Sequence, residues 1–154
     1  MDLDLEWKKK VVEKLYLEEE KRVEKKYLLK LGSRMIKYKS LNTSQEFIRI
    51  LKKKKLNTKY FTVYFDKNSN NLEKKRKFLN ISFVMKKKIG NAVIRNKIKR
   101  KLKYAVQKIA REDRIIDLNY TYVVFAKNVV YKDKFALIFD EVNETFKKIN
   151  KTEA

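Results

Sequence analysis

Cysteine, histidine and proline are absent from the 154 residues, and glycine occurs only twice. Without cysteine there is no disulfide and no thiolate chemistry. Without histidine as well, zinc-finger ligand sets and histidine-dependent nuclease sites are excluded. The missing cysteine is compatible with a reducing cytoplasm. No apolar run approaches the roughly 18 residues of a membrane-spanning helix, and the amino terminus, MDLDLEW, lacks the basic-then-apolar pattern of a signal peptide. Gly90 stands alone in an IGNAV turn, so there is neither a phosphate-binding loop nor a dinucleotide fingerprint. Acids are present but not paired for hydrolysis. Glu112, Asp113, Asp117, Asp133, Asp140 and Glu141 fall in loops or at helix starts, without motif spacing.

What the chain has instead is positive charge. Lys and Arg number 41 against 19 Asp and Glu, a formal net charge of +22. Such an excess calls for a polyanion or destabilises the fold by self-repulsion. Nine Phe, nine Tyr and 44% hydrophobic residues suffice for a core, so the chain is not a disordered basic tail. The abundance of Lys, Asn and Ile fits low-GC coding, which makes the order of the lysines more informative than their number.

One stretch is ordered in this sense. Lys86 to Lys108, KKKIGNAVIRNKIKRKLKYAVQK, holds ten Lys and Arg and no acid. Ile94, Ile98, Leu102, Ala105 and Ile109 recur at helical spacing, which predicts a helix over about 91–110 with one apolar stripe. Asn91 is placed to cap it. Asn96, Lys99, Arg100 and Lys103 project from the other side, with Arg95 near the edge of the stripe.

Around this helix the chain reads as two parts. Residues 1–37 carry eleven basic and eight acidic residues, a net of +3, and suggest one or two mixed-charge helices or a partly ordered arm. Val23, Tyr27, Leu28 and Leu31 make a possible stripe, and Gly32–Ser33 a stop. Residues 38–154 form the main domain. A helix begins at Ser44, with Phe47, Ile50 and Leu51 on one side and the lysine run 52–55 in its last turn. Tyr60 to Asp66 and Phe78 to Met85 alternate as strands. Asn68 to Lys77 connects them, and the two strands are expected to pair antiparallel. Tyr120 to Ala126 is a third strand, and a last helix starts near Lys132 or Asp133. The order helix, strand, strand, helix, strand, helix predicts an α+β fold, a two-layer or partly three-layer α/β sandwich.

Binding chemistry is available where catalytic chemistry is not. Arg95, Lys97, Lys99, Arg100 and Lys103 suit phosphates, with arginine able to donate two parallel hydrogen bonds. Asn96 suits a ribose or a base edge. Tyr60 and Tyr64 share a strand face, and with Phe47 they could stack unpaired bases beside the cations. Composition leaves three readings open: an RNA-binding subunit of an enzyme, a ribosomal or RNA-assembly protein, and a DNA-binding module using 91–110 as a recognition helix. The last is disfavoured because a strand precedes the helix and no compact three-helix unit is present.

The run KKKIGNAVIRNKIKRKLK resembles the signature of the bacterial ribonuclease P protein subunit. The flanking order from SQEF through YFTVYFD, NISFVM and YTYVVFA agrees over about residues 38–150. The resemblance implies an accessory subunit of an endoribonuclease whose RNA performs the hydrolysis, removing the 5′ leader of precursor tRNA. It implies no catalytic residue and no stably bound cofactor in the protein, with Mg2+ serving the RNA-containing holoenzyme. The implied partners are the catalytic RNA and precursor tRNA, in a complex of one protein and one RNA, cytoplasmic and without a membrane. Lys87, Lys88, Asn91, Arg95, Asn96, Lys97, Lys99, Arg100 and Lys103 map onto the family's contacts with catalytic RNA. Phe47, Leu51, Tyr60 and Tyr64 map onto its groove for the single-stranded leader. The family's fold, like the second domain of ribosomal protein S5, would add a left-handed strand–helix–strand crossover, against the usual right-handed rule. The chain departs from the family at Leu51, often aromatic, at Lys86, often serine, and at Lys97 and Lys103, often arginine. Lysine keeps the charge there but not the planar fork.

Overall fold

The computed structural model describes residues 2–30, 36–68, 78–112 and 115–153. The chain divides into two compact units, Met1–Met35 and Ile36–Ala154. Among the described residues the first holds one helix, α1 (Asp2–Lys30). Leu5, Trp7, Val12, Leu15, Tyr16 and Leu17 are all exposed on it. The side chains from Val23 onward and the Gly32–Ser33 stop lie outside the described residues.

The second unit runs β1 (Lys37–Lys39), α2 (Ser44–Leu51), β2 (Lys54–Asn57), β3 (Phe61–Lys67), β4 (Phe78–Val84), α3 (Ala92–Glu112), β5 (Tyr120–Ala126), α4 (Val129–Lys132) and α5 (Phe135–Glu153). Lys37, grouped by composition with the extension, is therefore in the sheet of the second unit. The sheet order is β1-β4-β5-β3-β2.

The expected pairing of β3 with β4 is corrected by this order. β5 lies between them, antiparallel to β3 and parallel to β4. The physical reason is that six of the seven β5 residues are buried. A strand apolar on both faces belongs at the centre of a sheet, whereas β3 alternates and tolerates a flank. A second correction concerns the lysine run. Helix α2 stops at Leu51, and Lys54 and Lys55 enter β2, whose pairing with β3 sets Lys55 opposite Tyr64. Lysines on an edge strand discourage pairing with further chains.

The periodicity of the two long helices gives the core. Ile98, Leu102, Ala105 and Ile109 of α3 and Ile138, Val142, Phe146 and Ile149 of α5 are all buried. They cluster with Phe61, Val63 and Phe65 of β3, Leu79 and Ile81 of β4 and Tyr122 and Val124 of β5. Burying each large aliphatic or aromatic side chain contributes about 1.5–3 kcal/mol. The opposite sheet face belongs to Thr62 and Tyr64 of β3 and Val123 and Phe125 of β5. Helix α2 packs across part of it against β3 and β5, with Ile50 and Val123 both buried. The uncovered remainder of that face is where polar and aromatic residues meet solvent.

Candidate nucleic-acid interface

The cationic helix is launched by a glycine that has no substitute. Gly90 adopts φ 156, a backbone conformation that side chains rarely tolerate. A Cβ there would also come within 3.0 Å of the Ile94 side chain. Asn91 follows as the cap: its Oδ1 accepts from the Ile94 amide at 3.0 Å, and its carbonyl accepts from the Arg95 amide at 3.1 Å. The turn ahead of it, Lys87–Ile89, is a single 3-10 turn on which Lys87 and Lys88 are exposed.

Along α3 the structure leaves Asn96, Lys97, Lys99, Arg100 and Lys103 exposed. Arg95 is half-buried, and among the described residues its Nε has no hydrogen-bond partner. Lys97 stands 5.1 Å from the centre of the Tyr131 ring and Lys103 5.3 Å from that of Tyr38. These cation–ring contacts restrain two of the lysine side chains. One cation of the helix is turned away from this surface: Lys101 donates to the carbonyls of Val130, Tyr131 and Asp133.

Next to the turn lies a cleft of about 460 Å³ on the sheet face opposite α3. Thr62, Tyr64 and Phe125 line it, with Lys86, Lys88 and Lys127 supplying positive charge and no acid among the lining residues. The Tyr64 and Phe125 rings meet edge-on at 5.6 Å, and Phe47 of α2 meets Phe125 at 6.3 Å. Lys127 is held in place by the Asn57 side chain at 2.8 Å and by the Thr58 carbonyl. Leu51 is half-buried one turn beyond Phe47 and is not among the cleft-lining residues.

The structure brings Phe47 and Tyr64 together through Phe125 but separates Tyr60 from them. Tyr60 precedes β3, so the strand's alternation does not govern it. It is 3% exposed within the core cluster, and its hydroxyl donates to Asp133 Oδ2 at 2.8 Å. That bond, with Lys59 at 3.0 Å, holds the Asp133 carboxyl below its ordinary range. Tyr60 is a structural anchor, and its place as a base-stacking residue is corrected accordingly. Phe125, Thr62 and Lys127 were missed by sequence reasoning. The alternation of YTYVVFA sets Phe125 on the face of Thr121 and Val123, but only the register Thr62↔Phe125 brings it beside Tyr64.

Residues 35–150 match the family model described as Ribonuclease P. The chain is 32% identical over 109 residues to the ribonuclease P protein component of Carboxydothermus hydrogenoformans, covering 70% of this chain and 88% of that protein. It is similar in structure to a Staphylococcus aureus RNase P protein mutant, at 25% identity and a TM-score of 0.57, over 81% of this chain and 94% of the other. It shares the fold of the RNase P protein from Thermotoga maritima at 24% identity and a TM-score of 0.57, covering 71% and 96% of the two chains.

Proposed function

The chain belongs to the ribonuclease P protein family, whose members are non-catalytic subunits of a ribonucleoprotein, and we propose that it binds the catalytic RNA through α3 and the 5′ leader of precursor tRNA through the adjoining cleft. The observation that carries this reading is the aromatic group Phe47, Phe125 and Tyr64 beside Lys86 and Lys88. An unpaired strand needs stacking surfaces for its bases and cations for its phosphates, and a mature tRNA body offers no such strand. Asn96, Lys97, Lys99, Arg100 and Lys103, with Lys87, Lys88, Asn91 and Arg95, then face the catalytic RNA. Phe47, Tyr64 and Phe125 face the leader, and Leu51 extends the same side of α2 one turn on.

The protein's part is attraction, orientation and discrimination of substrate from product. Among the described residues no group of three or more His, Cys, Asp or Glu is placed to hold a metal ion. In this reading magnesium belongs to the RNA of the holoenzyme, and no step is assigned to it on the protein. One protein and one RNA in the cytoplasm make the working complex. No helix among the described residues is long and apolar enough to cross a membrane. Cleavage of precursor tRNA by the cognate RNA subunit at low magnesium, with and without the protein, tests the proposal. The expected result is a protein-dependent gain that disappears when the leader is shortened to a nucleotide or two. A gain independent of the leader would overturn the cleft assignment.

A further inference from the structure

The helix that precedes the family match has an exposed apolar side of its own. Residues 35–150 carry that match, and α1 ends before it, at Lys30. Among the described residues, six of the eleven exposed large hydrophobic side chains lie on α1. Val12 follows Leu5 by seven residues, and Leu15 and Tyr16 follow Val12 by three and four, so these four share one side of the helix. A helix draws most of its stability from packing such a side, and apolar surface concentrated in this way marks an interaction site.

Charge identifies the occupant. The 29 residues of α1 include nine basic and eight acidic ones, in a chain whose net charge is +22. A nearly neutral helix gains little from RNA. Its charges are sorted into blocks, Lys8–Lys10 and Glu18–Glu20, ten residues apart. That is about 15 Å along a helix, too far for the blocks to meet within it. They stand symmetrically about Lys14. A second α1 laid antiparallel, with the two-fold axis at Lys14, brings Val12 against Tyr16 and each lysine block beside the other copy's glutamate block. Lys8, Lys9, Glu19 and Glu20 flank the apolar side, whereas Lys14, two residues from Val12, is turned about 200° from it and away from the seam. A parallel copy would instead set lysine against lysine and glutamate against glutamate.

We propose that α1 pairs with α1 of a second copy of this chain as an antiparallel two-helix coil. Leu5, Val12, Leu15 and Tyr16 form its seam, and Lys8 facing Glu19 and Lys9 facing Glu20 form its flanking ion pairs. The interface is isologous, one patch serving both partners, so each ion pair occurs twice. Charges beside an apolar seam set partner and orientation. The blocks therefore specify self-pairing, where the apolar residues alone would accept many partners. None of the residues assigned to RNA lies on α1, which belongs to a compact unit of its own. Each copy keeps its own RNA, and the pairing joins two complexes without changing the ratio of protein to RNA.

Sedimentation of the full chain, freed of RNA so that no nucleic acid bridges two copies, tests the pairing. A dimer fraction that rises with protein concentration is expected. One variant carries Lys8→Glu and Lys9→Glu, a second Glu19→Lys and Glu20→Lys. Each alone sets like charges across the seam and should weaken dimerisation roughly tenfold or more. Mixed one to one, the two variants are complementary again at both ends of the seam, and a heterodimer should form with close to the original affinity. Recovery on mixing is an outcome that mere damage to the helix would not give. Should either variant lose its helical circular dichroism, removal of residues 1–35 takes its place and should leave a monomer. A chain monomeric at every concentration overturns the proposal, whatever other partner α1 then takes. So does a dimer indifferent to both pairs of substitutions, a mixture of helical variants that stays monomeric, or a truncated chain that still dimerises.

Discussion

The ammonium of Lys101 donates to the main-chain carbonyl of Val130 at 3.1 Å, binding the cationic helix to the end of a different helix. The carbonyls of Tyr131 and Asp133 share it, at 3.2 and 3.1 Å. These are the unpaired carbonyls at the close of α4, where a cation is favourable both as a donor and against the helix dipole. Burial, and then repulsion from Lys97, depresses the Lys101 pKa, with Asp133 acting in the opposite direction. The neighbouring Arg100 is exposed. Two adjacent cations in one basic run therefore have different work, one within the fold and one on its surface.

Lys101→Met and Arg100→Ala should separate those roles. Lys101→Met should lower stability by roughly 1.5–3 kcal/mol, the range for hydrogen bonds to a charged group, and leave RNA affinity of the folded protein nearly unchanged. Arg100→Ala should melt normally but bind the RNA subunit more weakly, with the salt slope reduced by about one contact. Thermal melts beside binding isotherms at several salt concentrations check both. A stable Lys101→Met that loses its salt slope would place Lys101 on the RNA surface.

The elements legible in the sequence were those with a strong period. Ile98, Leu102, Ala105 and Ile109 mark the buried side of α3, and Phe61, Val63 and Phe65 that of β3, because periodicity reports directly on which side meets the core. Thr43, whose hydroxyl accepts the Glu46 amide at 3.3 Å, and Asn91 are caps of the ordinary kind. Strand order was not legible, because nothing local to β3 or β4 says that β5 comes between them. Short edge strands such as β1 and β2, with the sequences KYK and KKLN, have no local apolar pattern and exist only through their partners. The site divides in the same way. Exposure along α3 follows from its period, whereas Phe125 joins Tyr64, and Tyr60 leaves it, through pairing and a turn.

Gly90→Ala should be more damaging than an ordinary loop substitution. It combines a backbone region costing about 1–3 kcal/mol for other residues with a Cβ pressed to 3.2 Å against Ile94 Cβ. Both effects fall at the entry to α3. The expected outcome is a lowered melting temperature and a loss of RNA-subunit affinity larger than the unfolded fraction explains. Unchanged melting would show that the turn can relax.

Stability should fall as pH rises past about 10, the ordinary tyrosine pKa. Burial raises the phenols of Tyr38 and Tyr122. A raised folded-state pKa means stability present below the unfolded value and lost above it, because only the unfolded chain then releases those protons. Tyr38→Phe should flatten the decline, measured by thermal melts across the alkaline range. An equal slope in that variant would assign the loss to other groups.

Removal of residues 1–35 should leave leader cleavage largely intact at physiological salt. The helix α1 belongs to a separate compact unit, and residues 1–37 hold eleven basic against eight acidic residues. Such a balance supplies at most a weak, non-specific contact with RNA. Loss of most activity, with the melting of the remaining domain unchanged, would give the extension a specific role.

Tyr64→Ala bears most directly on the leader cleft. Tyr64 is half-buried on the α2 side of β3, outside the core cluster that holds Val63 and Phe65 on either side of it. Its ring meets Phe125 edge-on, leaving an aromatic surface beside Lys86 and Lys88. A leader base stacked there belongs to the precursor and is missing from mature tRNA. The substitution should therefore weaken precursor binding by about 1 kcal/mol, at the low end for a stacked base because aliphatic Leu51 shortens the platform. Affinity for mature tRNA and for the RNA subunit should barely move. Were Tyr64 chiefly a packing residue under α2, its loss would open a cavity, the melting temperature would fall, and both tRNAs would suffer together as the folded fraction declined. Titrations of precursor and mature tRNA with the mutant holoenzyme, run beside a melt, separate the two cases: an equal loss for both ligands removes Tyr64 from the leader cleft, and a loss confined to the precursor keeps it there.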